Sequence, residues 1–116
     1  MNLPDCLFCK ITKKEIPAKV VFEDDTLMAI EDINPAAPVH ILIMPKKHIA
    51  SLAEVTAEDE ALLGHIQTVA SQLAQQLGLA EQGYRLVSNC GELGGQTVMH
   101  LHYHLLGGRH FGWPPG

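Results

Sequence analysis

The sequence predicts an α+β domain, a five-stranded antiparallel sheet carrying one long and one short helix. Three observations point there. Apolar residues recur at helical spacing over one long stretch only, from Leu62 to Leu77. Several short apolar runs surround it, bounded by Pro, Gly or paired Asp. Near the C-terminus, His100-Leu101-His102-Tyr103-His104 alternates imidazole and apolar side chains, the two-residue period of a strand.

Residues 6–14 form the expected short helix, which must end before Pro17. Val20 to Glu23 reads as the first strand and Asp24-Asp25 as its turn. Leu27 to Ile33 alternates loosely and gives a second strand, broken by Pro35, Ala36, Ala37 and Pro38. His40 to Met44 is a β-branched, apolar run between Pro38 and Pro45, too short for an average helix, and is expected to be a well-buried strand. Thr56 and Asp59 make an N-cap pattern that opens the long helix. Its buried stripe is Leu62, Ile66, Val69, Leu73 and Leu77, with Gly78 as a C-terminal stop. Tyr84 to Asn89 is the fourth strand, Gly91 to Gln96 a glycine-rich turn, and His100 to Leu106 the fifth strand. The 116 residues are expected to form one domain, 1–116, with no repeat or low-complexity tract.

Composition narrows the functional classes. Hydrophobic residues make up 47% of the chain, enough for a packed core. The formal net charge is −5 and the basic residues are scattered, which argues against binding a nucleic-acid backbone but not against small nucleotides. No apolar stretch approaches the length of a membrane span, and no signal-peptide pattern opens the chain. The three cysteines are an odd number, so a reduced, cytoplasmic setting fits better than a disulfide framework.

The alternating histidines carry the chemistry. On a strand, His100, His102 and His104 share one face while Leu101, Tyr103 and Leu105 pack on the core. Imidazole is the side chain most easily poised as acid, base, nucleophile or ligand near neutral pH. A solvated, metal-scavenging patch is the plain alternative, and the regular apolar partners argue against it. Cys6-x-x-Cys9 admits three readings: a redox pair, two inert buried thiols, or half of a zinc site. His65, alone on the long helix, is assigned no role, and Cys90 reads as a small strand-end residue.

These features together resemble the histidine-triad (HIT) family over nearly the whole chain. The matching parts are Cys6-x-x-Cys9, Glu15-Ile16-Pro17-Ala18, Phe22-Glu23-Asp24-Asp25, Asp32-Ile33-Asn34-Pro35 and Pro38-Val39-His40. They continue with Pro45-Lys46-Lys47-His48, Gly94-Gly95-Gln96-Thr97, His100-x-His102-x-His104 and Gly107-Gly108-Arg109. The ending Trp113-Pro114-Pro115-Gly116 is similar to the Hint branch, the purine nucleoside phosphoramidases. The resemblance implies a homodimer whose two sheets join into one, and cleavage of nucleoside 5′-phosphoramidates through a nucleotidylated histidine.

Residue by residue, the resemblance implies His102 as nucleophile, His104 beside the phosphate, and His40 behind the site orienting the others. It implies a nucleotide held by Asp32 and Ile33 at the ribose end. At the phosphate it implies Asn89, Thr97 and backbone N–H groups around Gly95 and Gln96. Trp113 would reach the neighbouring subunit's site. Asp32 could instead be a turn-capping aspartate. Thr97 stands where a serine is common in this branch, and its methyl group bears on leaving-group choice. The resemblance also implies one structural zinc per chain, held by Cys6, Cys9, His48 and His100. Two other functions remain open here: a dinucleoside polyphosphate hydrolase of the Fhit type, and a nucleotide-binding interaction module.

Overall fold

A computed structural model of the protein describes residues 5–116; residues 1–4, the start of the expected domain, lie outside the described residues. Helix α1 (Leu7–Thr12) leads into strands β1 (Val20–Glu23), β2 (Leu27–Glu31) and β3 (Val39–Pro45). Two 3₁₀ turns, Leu52–Glu54 and Ala57–Asp59, precede helix α2 (Glu60–Gln76), and β4 (Tyr84–Val87) and β5 (Tyr103–Gly107) complete the sheet. The strand order is β1-β2-β3-β5-β4, with every neighbouring pair antiparallel.

The sheet is covered on both faces, which explains why β2 and β3 read as near-continuous apolar runs. On one face Leu27, Ala29, Ile41, Ile43 and Leu105 pack against Ile66, Val69, Ala70 and Leu73 of α2. On the other, Met28, Ile30, Leu42 and Met44 pack against Phe8 and Ile11 of α1. Each fully buried aliphatic side chain contributes about 1.5–3 kcal/mol, so both layers are needed in a domain this small. The Thr56–Asp59 pattern is a capping box, with the Thr56 N–H donating to Asp59 Oδ2 at 3.0 Å. It closes a 3₁₀ turn, and the α-helix proper begins at Glu60. Gly78 follows the helix at φ +76°, a left-handed conformation that glycine takes without strain.

Four expectations are corrected. Strand β2 ends at Glu31, leaving Ile33 91% exposed in the following turn. Strand β4 ends at Val87, so Ser88, Asn89 and the exposed Cys90 belong to the loop beyond it. Leu77 caps α2 at 42% exposure instead of joining the core, bordering a small cleft with Val21, Val39 and Ile41. Strand β5 begins at Tyr103, not His100. Residues 100–102 are pinned outside the ladder: the Leu101 N–H donates to the Ile49 carbonyl at 2.6 Å, and the Ser88 hydroxyl to the His102 carbonyl at 2.9 Å. No helix among the described residues is long and apolar enough to cross a membrane.

Candidate active site

The alternation places the imidazoles as expected, although only His104 lies within the strand ladder. His104 sits opposite Leu42, on the α1 face of the sheet, while Leu105 is fully buried on the α2 face. The rings form a line. His102 and His104 have centroids 5.1 Å apart, and His104 and His40 are again 5.1 Å apart. Phe8 of α1 meets His102 edge-on at 4.9 Å and His100 at 6.0 Å. At the far end His48 stands 5.0 Å from His100.

The hydrogen-bond partners fix the neutral tautomers, because a carbonyl can only accept and a backbone N–H can only donate. His102 Nδ1 lies 2.7 Å from the His100 carbonyl, so Nδ1 carries the proton and Nε2 is left as a bare lone pair. The Ala36 N–H donates to His40 Nδ1 at 3.0 Å, so His40 carries its proton on Nε2. That N–H donates to His104 Nδ1 at 2.9 Å, which leaves the His104 proton on Nε2. One imidazole therefore offers a nucleophilic nitrogen and its neighbour an N–H donor. Burial disfavours the charged form of both His104 and His40. His104 is pushed down to about 4 by burial and by its histidine neighbours, against the opposing pull of Asp32. Burial likewise lowers His40, again opposed by Asp32.

His102 and His104 open into a cavity of about 500 Å³, a volume typical of small-molecule sites. Phe8, Ile11, Ile16, Ile30 and Leu42 give it apolar walls, and Asp32, Ile33 and Thr97 join the histidines around it. Asp32 does cap its turn, with Oδ1 accepting the Asn34 N–H at 2.8 Å, but Oδ2 faces His40 Nε2 at 3.4 Å. Asn89, Gly95, Gln96 and Trp113 form no part of the lining. The expected free N–H groups of Gly95 and Gln96 are spent inside the loop, on the carbonyls of Glu92 and Gly91 at 3.0 Å each. The Gln96 side chain is a brace: it donates to the carbonyls of Ala50 and Val98 and accepts the Gly91 N–H. A Cβ at Gly94 would collide with the Cys90 carbonyl, so this tight loop requires glycine there. A second cavity of about 510 Å³ lies beside Arg85, Arg109 and Phe111, away from the imidazole line. Its arginines already donate to the carbonyls of Gly112, Ala36 and His110.

Sequence reasoning missed Phe8 and the Asp32–His40 contact. Phe8 and Ile11 are three apart on a helix and so share a face, a signal the two cysteines overshadowed. It also missed that His65 Nε2 meets Asp24 Oδ2 at 2.6 Å, tying α2 to the β1–β2 turn.

The structure brings Cys6, Cys9, His48 and His100 together, with their ligand atoms all within 4.8 Å of one another. The Cys6 Sγ to His100 Nδ1 distance is 3.2 Å, Cys9 Sγ to His48 Nδ1 3.3 Å, and His48 Nδ1 to His100 Nδ1 3.2 Å. A tetrahedral zinc with two thiolates and two imidazoles has ligand-to-ligand edges of about 3.3–3.8 Å. The donor set fits. His100 Nε2 donates to the Pro45 carbonyl at 2.8 Å, which frees Nδ1 as a lone pair, the outer-shell arrangement usual for a ligating histidine. With four protein donors the site would be closed and structural.

Fold and site together define a histidine-triad domain, a small α+β sheet with an imidazole line beneath a nucleotide-sized cavity. The family model described as HIT domain matches residues 13–111, and the chain belongs to the HIT family. An uncharacterised HIT-like protein of Synechococcus elongatus (strain ATCC 33912 / PCC 7942 / FACHB-805) is 57% identical over 112 residues, 97% of each chain. The structure is similar to a HIT family hydrolase from Legionella pneumophila Philadelphia 1, at 57% identity and TM-score 0.95, covering 97% of this chain and 100% of that one. It is also similar to a histidine triad nucleotide-binding protein from Candida albicans, at 35% identity and TM-score 0.82, covering 95% and 83%.

Proposed function

We propose that the protein is a nucleotide hydrolase of the Hint type that cleaves purine nucleoside 5′-phosphoramidates to a nucleoside monophosphate and an amine. The observation that carries this reading is the locked tautomer of His102, whose bare Nε2 borders the cavity beside the His104 N–H donor. A neutral imidazole approaches an anionic phosphorus without charge repulsion. Nε2 attacks phosphorus, the P–N bond breaks, and the bond pair leaves with the amine nitrogen. Thr97, which lines the cavity, is assigned to give that nitrogen its proton and to recover one from the water of the second step. Water then displaces the imidazole, so one hard hydrolysis becomes two easier ones. The His104 N–H is assigned to the phosphate oxygens, where a preorganised donor stabilises the developing charge; Asn89, outside the lining, would have to approach from the loop after β4 to share that role. Hydrolase and nucleotide-binding names among similar structures support the class of reaction.

The test is a panel of leaving groups compared by kcat/KM. An adenosine or guanosine phosphoramidate should be turned over far faster than diadenosine tetraphosphate, with acyl-adenylates as a plausible second class. Preference for the dinucleotide would favour the Fhit-type reaction, and tight AMP binding without turnover of any member would favour a binding module.

Asp32 is assigned to the ribose hydroxyls. Asp32→Ala should then raise KM roughly tenfold or more, the cost of losing hydrogen bonds to a charged group. The KM penalty should largely vanish for a substrate lacking both ribose hydroxyls. An equal penalty there would remove the ribose role of Asp32.

A homodimer completes the proposal. β4 is an edge strand with Tyr84 exposed, able to continue the sheet into a second copy. Trp113 is 83% exposed and touches no wall of its own chain's cavity, which suits a role at the neighbouring one. Sedimentation at micromolar concentration should give a dimer; a fully active monomer would count against it. A cytoplasmic location accords with thiols kept for metal binding.

A further inference from the structure

Asp32, His40 and His104 form a second compact group, their ligand atoms within 4.8 Å of one another. It is wired against a metal. The Ala36 N–H occupies His40 Nδ1 at 3.0 Å, which forces the proton onto Nε2, the nitrogen a metal would need bare. That Nε2–H instead has two acceptors in reach: His104 Nδ1 at 2.9 Å and Asp32 Oδ2 at 3.4 Å.

The arrangement has a consequence for His104. A proton added to His104 Nδ1 would point directly at the His40 Nε2–H across 2.9 Å. His104 can become an imidazolium only if the His40 ring tilts, pivoting about its Nδ1 contact with Ala36, so that the Nε2–H leaves this line. Asp32 Oδ2 is the acceptor within reach, because Oδ1 is engaged by the Asn34 N–H. We propose that Asp32 is a positioning residue for the histidines, its carboxylate serving as the second seat of the His40 Nε2 proton and thereby setting how readily His104 takes up a proton. In the first state His40 donates to a neutral His104, which offers one N–H to the site. In the second, His40 donates to Asp32 and His104 holds a solvent-derived proton on Nδ1. A ribose hydroxyl bound at Asp32 would share the same carboxylate, so nucleoside binding and His104 protonation are coupled.

The charged and titratable groups around the pair are few. His102 faces His104 from the segment before β5 and disfavours its charge, whereas Asp32 favours it. Leu42 of β3 and Val87 of β4, opposite His104 in the ladder, are apolar. Behind His40, Glu31 lines the same small cleft as Asp32 and is paired with Lys19 at 3.2 Å.

The test compares wild type with Asp32→Asn, which removes the carboxylate charge facing the His40 N–H. Imidazole ¹⁵N NMR would follow His104 in the complex with 2′,3′-dideoxy-AMP, where the phosphate raises the midpoint and no ribose hydroxyl intervenes. The Asp32→Asn midpoint should lie lower by about half a pH unit or more, since a nearby opposite charge favours the charged form. Asp32→Glu should recover part of the shift, and Asp32→Ser, which keeps a turn-capping oxygen without the charge, should repeat the loss if the amide variant fails to fold. An unchanged midpoint in the uncharged variants would overturn the proposal. A kinetic arm rests on the phosphoramidate reading: with a 2′,3′-dideoxy phosphoramidate, the acid limb of kcat should move the same way with KM unchanged. Absence of any turnover would defeat that reading alone, because the NMR midpoint decides the positioning role without it.

Discussion

His102→Ala is expected to lower kcat roughly 10⁴-fold or more, the scale of losing a nucleophile outright, while the domain folds and still binds AMP. The geometry supports both halves of that result. His102 supplies the bare nitrogen beside the cavity, but its ring contributes one edge contact to Phe8 rather than a large share of the core. AMP would keep the apolar walls, Asp32 and His104. His104→Ala should be milder, because it removes a donor to the phosphate and leaves the attacking atom in place. A general-base route, with water attacking phosphorus directly, would use the same histidines, so activity loss alone does not separate the two. Stereochemistry does: two in-line displacements retain configuration at phosphorus and one inverts it. Rapid quenching should also trap AMP as an acid-labile adduct on wild type and none on His102→Ala. Net inversion would remove the covalent route and leave only the location of the site.

Much of this was legible because it rested on local chemistry. The period of two in His100–His104 placed the imidazoles on one face, and the capping pattern at Thr56 located the start of α2 to within a turn. Strand ends were less legible. Ile33 suits a strand by itself, but the Asp32 side chain accepts the Asn34 N–H and turns the chain there, and beyond Val87 the Ser88 hydroxyl donates to the His102 carbonyl in place of the ladder. The His100 boundary failed in the same way: bonds from Leu101 to Ile49 and from Ser88 to His102 replace the ladder, and both are tertiary. The same holds at the site. Which histidines carry a lone pair depends on the Ala36 N–H and the His100 carbonyl, and no residue pattern announces a backbone partner. The glycine-rich loop invited a phosphate-binding reading, yet its turn uses the N–H groups of Gly95 and Gln96 within the loop itself.

Cys6→Ser is expected to lose most of one zinc per chain and to melt on the order of 10 °C lower or more. A metal that binds the folded state at a thousandfold excess over its dissociation constant adds about 4 kcal/mol, and each kcal/mol moves the midpoint of a domain this size by about 4 °C. The structural consequence is specific. Cys6 is the N-cap of α1, Cys9 lies within it, His48 follows β3 and His100 precedes β5, so the site would clamp the helix that walls the cavity to the segment carrying the nucleophile. Without a cation the cluster is held by weak thiol–imidazole contacts, Cys6 Sγ to His100 Nδ1 at 3.2 Å and Cys9 Sγ to His48 Nδ1 at 3.3 Å. Burial strengthens the case, since His100 is pushed down to about 4 by burial and by the neighbouring His48 and His102, and so presents a neutral lone pair at any ordinary pH. Turnover by the fraction that remains folded should survive in large part, because the His102 tautomer is held by the His100 backbone carbonyl and not by its ring. Elemental analysis, thermal melts with and without a chelator, and kcat on the same samples would test the three claims together. Metal loss that abolished turnover with the melting temperature unchanged would show that the site takes part in the chemistry, and the structural assignment would fall.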